Sequence, residues 1–206
     1  MLSEAHKHLS KKCPLMRKLA LRYGPCVIEK RPGRAPYQAL MEAVAHQQLN
    51  GTAANTILKR FRALTPGVKF PKPEQVLALP VEALRGAGFS AAKVLALRDI
   101  AQKTLDGVVP SARAIAKFSD EEIIARLIEL RGVGRWTVEM LLIFQLGRPD
   151  VWPVDDFGVR NGFRIAHKLP EMPKPKTLLE PAERWRPYRS AAAWYFWRVA
   201  DNEKQR

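Results

Sequence analysis

Apolar residues recur along nearly all of this chain at the three- and four-residue spacing of a helix face. No run alternates at period two between hairpin turns. Side chains on one face of a helix are brought together only at the first spacing, whereas a strand changes face at every residue. The pattern predicts an all-α chain. Helices are expected over 3–22, 36–48, 51–63, 73–79, 81–86, 90–105, 120–130, 135–146, 156–168 and 188–201. Several starts carry a mechanism. Pro36 suits a first helical turn, and Pro187 is expected to open the last helix. Ser119-Asp-Glu-Glu122 reads as a capping box before Ile123, Ile124, Leu127 and Ile128. Asp155 stands where a carboxylate favours free helix-start amides. Breakers fall at Gly24-Pro25, Thr65-Pro66-Gly67, Gly107 to Pro110 and Pro170 to Pro175, and the last of these reads as a loop. A central lobe is expected over 36–140. Residues 1–35 and 141–206 are expected to pack as a second helical lobe, with a cleft between the two.

A chain of 206 residues has room for one domain or two small lobes. Its net charge is +15, with nine Lys/Arg against two Glu in residues 1–35. Such a balance points to a polyanionic partner, because Lys and Arg that neutralise phosphates release counterions. Cys13 and Cys26 are the two cysteines, too few for a four-cysteine metal or iron–sulfur site and expected to be reduced and buried. The four histidines show no metal spacing. No stretch reaches the roughly 20 apolar residues of a membrane span. The expectation is an intracellular monomer, in a bacterial cytoplasm or a eukaryotic nucleus.

Gly132-Val133-Gly134 lies between an amphipathic helix and a second helix carrying Val138, Leu141, Leu142 and Leu146. Two glycines two apart let a backbone turn sharply and approach another molecule closely. The amides that follow open a helix, a place for a phosphate, and the carbonyls of so tight a turn can hold a monovalent cation. Read alone, the motif suits a plain interhelical turn better. Asp155 and Asp156, read alone, are helix-start acids.

The combination is more specific. Leu130-Arg-Gly-Val-Gly-Arg-Trp-Thr137 is followed, 22 residues after Gly134, by Asp156 in Asp155-Asp-Phe-Gly-Val-Arg160. Ala45-His-Gln-Gln-Leu-Asn-Gly-Thr-Ala-Ala54, Leu84-Arg-Gly-Ala-Gly-Phe-Ser90 with Lys93, and Arg184-Trp-Arg-Pro-Tyr-Arg-Ser190 with Trp197 accompany it. Together these stretches resemble the helix-hairpin-helix DNA glycosylase superfamily, in its alkylbase branch of 3-methyladenine DNA glycosylase II.

The resemblance implies a two-lobed helix-hairpin-helix glycosylase fold with a DNA-binding cleft between the lobes. Its partner is double-stranded DNA containing a damaged base, and no cofactor is required. Asp156 matches the catalytic aspartate, with Asp155 left to capping or support. Trp136, Phe157 and Trp197 match base-pocket positions. Met140 stands where some members have tyrosine, so the pocket is expected to be less aromatic on that side. Gln48 matches the residue inserted into the vacated base stack, with Leu49 and Asn50 beside it. Gly132, Gly134, Arg135 and Thr137 fall at the DNA-binding hairpin. The carbonyls of Ile128, Leu130 and Val133 are the family's site for Na+ or K+. Bifunctional members carry a lysine two positions past the second glycine; Trp136 stands there and cannot form an imine. The implied reaction is hydrolysis without strand cleavage. A related glycosylase for deaminated or oxidised bases, and a non-catalytic helix-hairpin-helix DNA-binding protein, are the alternatives. Asp156 speaks against the second, since a pure binder has no use for a carboxylate facing phosphate.

Overall fold

The computed structural model describes residues 4–28 and 34–204, and among these every regular element is helical. Ser3, where the first helix was expected to start, lies outside the described residues. So do Glu29, Lys30 and Arg31 of the basic N-terminal stretch. The chain divides into two compact units, Met1–Lys30 with Leu142–Arg206, and Arg31–Leu141.

In the Arg31–Leu141 unit, polar residues start most of the helices. Asn50 accepts from the Ala53 amide, and Ser90 and Ser111 cap their helices in the same way. Ser119 and Glu122 form the expected capping box at the head of Asp120–Leu127. That helix buries Ile123, Ile124 and Leu127 but leaves Ile128 half exposed, because Ile128 is already its C-cap. Pro36 opens Pro36–His46, which contributes Leu40, Met41 and Val44 to the core. Phe61 meets Phe89 edge-to-face at 5.4 Å, and Leu97 and Ile100 of Ala91–Leu105 are fully buried. Each such side chain contributes roughly 1.5–3 kcal/mol by leaving water.

The other unit corrects several expected boundaries. The single helix over 3–22 is two, Glu4–Lys12 and Pro14–Tyr23. Pro14 lacks the amide needed to continue a helix but suits a first turn, and Cys13 is extended at φ −145°. The helix over 135–146 is α-helical only through Met140, and Leu141–Leu146 winds as a π-helix. The loop through Pro170 to Pro175 leads into a short 3-10 turn, Pro175–Leu178, and the helix Leu179–Glu183. The last helix starts at Arg189, two residues beyond Pro187. The core here is aromatic: Trp185 lies 5.1 Å from Trp152 and 5.3 Å from Phe196, ring centre to ring centre. Trp152 donates its indole N–H to the Leu178 carbonyl. Both thiols are free, but only Cys13 is buried; Cys26 is half-buried, and desolvation pushes its thiol up to about 12.

Two helices of this unit, Phe157–Ala166 and Arg189–Lys204, lie in intimate contact. Gly162 is the reason: a β-carbon there would sit 1.9 Å from the Phe196 carbonyl oxygen. Only a residue without one lets the backbones come so close.

Candidate active site

The close helix pair fixes a carboxylate. Asp156, not Asp155, is the N-cap of Phe157–Ala166, so the capping expected of Asp155 falls to its neighbour. Asp156 Oδ1 accepts from the Val159 amide at 2.7 Å and from the Trp197 indole N–H, also at 2.7 Å. Asp156 is only 8% exposed, whereas Asp155 is exposed. Gly158 adds to the fit, because a β-carbon there would meet Trp197 Cδ1 at 2.8 Å. Trp197 is held from another side by Phe144, stacked at 5.4 Å and 30°. Phe144 comes from the π-helical turn, a winding that often marks functional sites. Phe157 projects outward, 63% exposed. Trp194 packs on Tyr195, and Tyr195 and Phe196 are buried.

One variant isolates the indole N–H. Trp197→Phe keeps a ring against Phe144 and removes the donor to a buried carboxylate. A hydrogen bond to a charged group contributes about 1.5–3 kcal/mol. If Asp156 carries the chemistry and that contribution positions it, the rate falls roughly tenfold to a hundredfold. An unchanged rate in a variant with an unchanged Tm would show that the indole does not hold the carboxylate for the reaction.

In the Arg31–Leu141 unit the hairpin is built onto the helix Ala91–Leu105. Asp99 accepts from the Arg131 amide at 2.7 Å, and Lys103 donates to the Glu129 carbonyl. Gly132 has φ +76°, and its β-carbon would lie 3.3 Å from that of Ala96. Here turn geometry and close packing both favour glycine. Gly134 is different: it is extended at φ −94°, and a β-carbon there would meet nothing within 4 Å. Nothing in the unit demands glycine at 134. The Leu130 carbonyl accepts from the Val133 amide at 3.1 Å, and Ile128 caps the preceding helix. Among the described residues no group of three or more His, Cys, Asp or Glu could hold a metal ion.

The helix expected over 36–48 ends at His46, where the chain reverses. The Leu49 amide donates to the His46 carbonyl at 3.2 Å. Gln47 has φ −55° and ψ 130°, and Gln48 has φ +57°. These are the angles of a type II turn with Gln48 at its third position, where glycine or asparagine is normal. Gln48 and Leu49 are exposed. Gln47 donates its side-chain N–H to the Gly132 carbonyl at 2.8 Å, tying the turn to the hairpin. Lys93 donates to the carbonyls of Ala45 and Gln47 at 2.9 and 2.8 Å. Burial lowers the pKa of its ammonium. Asn50, placed by the sequence at a DNA surface, has its side-chain oxygen engaged as the N-cap of Gly51–Ala63.

A cavity of about 600 Å³ opens beside this turn, lined among others by His46, Gln48, Lys93, Trp136, Thr137 and Met140. Trp136 is 44% exposed, whereas Thr137 is buried. Arg135, expected to meet DNA, is exposed and carries two ion pairs. It pairs with Glu121 at 3.1 Å and with the buried Glu139, also at 3.1 Å.

The family model of the HhH-GPD superfamily of base excision DNA repair proteins matches residues 41–187. The chain belongs to this superfamily. It is 45% identical over 175 residues to DNA-3-methyladenine glycosylase 1 of Schizosaccharomyces pombe, covering 82% of this chain and 77% of that one. It is 35% identical over 196 residues to the alkylbase DNA glycosidase-like protein mag2 of the same yeast, covering 95% and 92%. Among solved structures it is similar to the S. pombe 3-methyladenine DNA glycosylase in complex with abasic DNA. The TM-score is 0.88 and the identity 40%, with 97% of each chain covered.

Within this HhH-GPD protein, sequence reasoning missed Phe144 and Asp99, and it saw Lys93 only as part of a motif. Phe144 carries no local signal, because a π-helical turn shifts which residues share a face. Asp99 and Lys103, four apart on one helix and both engaged at the 129–131 segment, were open to a search for paired polar residues on an otherwise buried helix.

Proposed function

We propose that the protein is a monofunctional DNA glycosylase. It extrudes alkylated bases of the 3-methyladenine and 7-methylguanine type from duplex DNA and hydrolyses their N-glycosidic bond, leaving an abasic site. The observation that carries this reading is the Asp156 carboxylate, buried and held by two donors on one oxygen.

A base inside a duplex is out of reach, so the reacting nucleotide must leave the stack. As the bond from C1′ to the base nitrogen breaks, its electron pair departs with the base and positive charge develops on the sugar. A preorganised carboxylate stabilises that charge without reorienting, and the same group can take the proton of the water that adds to C1′. Alkylation at N3 or N7 makes the purine cationic, so little protonation of the leaving base is needed. A cationic base also favours electron-rich ring faces. Trp197 and Phe157 offer such faces near the carboxylate, and Trp136 offers one beside Met140 in the other unit.

Gln48, at the apex of an exposed turn with Leu49 beside it, is the proposed occupant of the vacated stack. Gly132 and Gly134 would bring hairpin amides to the DNA backbone, and the open space at Gly134 favours this. The ion pairs of Arg135 and the burial of Thr137 leave those two with supporting roles. The carbonyls of Ile128, Leu130 and Val133 are hard oxygen donors that suit Na+ or K+. A cation held there would add positive charge where the hairpin meets phosphate.

Trp136 in place of a lysine makes the reaction purely hydrolytic. Incubation with methylated duplex and sodium borohydride is expected to trap no covalent protein–DNA adduct, checked by denaturing electrophoresis. A trapped adduct would refute the monofunctional reading. The glycosylase reading itself is tested by incubating the protein with methylated DNA and identifying any free bases by chromatography.

A further inference from the structure

We propose that Lys93 is a positioning residue that sets the Gln48 turn before DNA arrives; this rests on the glycosylase reading above. Types I and II of a four-residue turn differ in the orientation of the central peptide. The change is about 150° at ψ of the second residue and about 170° at φ of the third. In this turn the central peptide joins Gln47 to Gln48, and its carbonyl oxygen is the one that Lys93 holds at 2.8 Å. The second hydrogen bond of the ammonium goes to the Ala45 carbonyl at 2.9 Å, in the last turn of Pro36–His46. A cation there is favoured by the helix dipole and satisfies carbonyls that the helix cannot. One side chain therefore grips the chain on both sides of His46 and fixes the peptide that selects the turn type.

The grip has work to do. Gln48 sits at φ +57°, a strained conformation for a non-glycine residue that persists only where surroundings enforce it. Glycine would relieve that strain but has no side chain to insert. The arrangement keeps a long amide at the apex and places the means of holding it on another helix. Lys93 itself starts from a fixed place, since Ser90 caps its helix by accepting from the Lys93 amide. Without the ammonium, the Gln47–Gln48 peptide is free to flip to the type I form and carry Gln48 to negative φ.

The test compares single-turnover excision of an alkylated base on two duplexes. In one the lesion is paired; in the other it lies opposite an abasic site, where extrusion costs less. Lys93→Met is expected to slow excision from the paired duplex by roughly tenfold or more, with a clearly smaller loss on the second. Lys93→Arg should recover part of the rate, and Lys93→Met added to Gln48→Ala should cost little further. Thermal melting checks that each variant is folded. Equal losses on both duplexes, or a fully additive double variant, would overturn the positioning role and make Lys93 merely structural. Wild-type excision by Lys93→Met with a slow Gln48→Ala overturns the role of Lys93 alone. Wild-type excision by Gln48→Ala on the paired duplex removes the wedge, and this proposal with it, while Asp156 chemistry stands.

Discussion

Asp156→Asn is expected to slow base release by about a thousandfold, the scale seen when one preorganised transition-state contact is lost, while the protein stays folded and bound to DNA. The structure makes this a clean substitution. Asn caps a helix as well as Asp does, and its side-chain oxygen can still accept from Val159 and Trp197. What disappears is the charge that meets the developing cation and the basic oxygen for water. Affinity for an abasic duplex should hold or rise, because one negative charge near phosphate is gone. Asp156→Ala is less informative, since losing the cap costs about 1 kcal/mol of stability by itself. Single-turnover base release and fluorescence anisotropy on the same preparation make the check. Release at the wild-type rate would remove Asp156 from the mechanism.

Gly162→Ala is expected to destabilise the protein by about 3 kcal/mol, the upper part of the range for inserting a methyl group into a packed core. A side-chain clash can be relieved by a rotamer change. Here the first atoms met are the Phe196 carbonyl oxygen at 1.9 Å and carbon at 2.6 Å, both backbone. The helices Phe157–Ala166 and Arg189–Lys204 must part on the order of an ångström to reach ordinary contact. For a chain of this size the loss corresponds to a fall in Tm of roughly 6–12 °C. The same separation pulls Trp197 away from Asp156, so activity should fall below that of Trp197→Phe even where the protein remains folded. Gly158→Ala should cost less, because it meets Trp197 side-chain atoms first. A Gly162→Ala protein that melts with the wild type would mean that the two helices do not pack as described.

Much of this was legible in the sequence. Pro36 and the Ser119–Glu122 box each announce a helix start by a local rule, and local rules survive folding. The family resemblance singled out Asp156, and that carboxylate is the buried, doubly held one. The break at Pro14 was a local signal, but other features needed distant partners. Two adjacent aspartates preceded one helix, and only the packing of Trp197 forty-one residues on shows which is buried. The ion pair of Arg135 with Glu139 is visible at four-residue spacing, whereas Glu121 joins it only once the hairpin closes. Gly162 was an unremarked glycine inside a helix, where its cost of about 1 kcal/mol relative to alanine should have signalled close packing. The helical pattern runs on through Gln47-Gln48, whereas the turn found there is held from Lys93, forty-six residues from Gln47. Nothing in the local composition of that turn, which lacks glycine and asparagine at its apex, reports such a constraint.

The central claim is hydrolytic excision of alkylated purines, and chromatography of the bases released from methylated DNA tests it most directly. The expected result is free 3-methyladenine and 7-methylguanine, with the sugar–phosphate strand intact at each abasic site until alkali is added. Release of neither base, from protein that binds the same duplex, would contradict it.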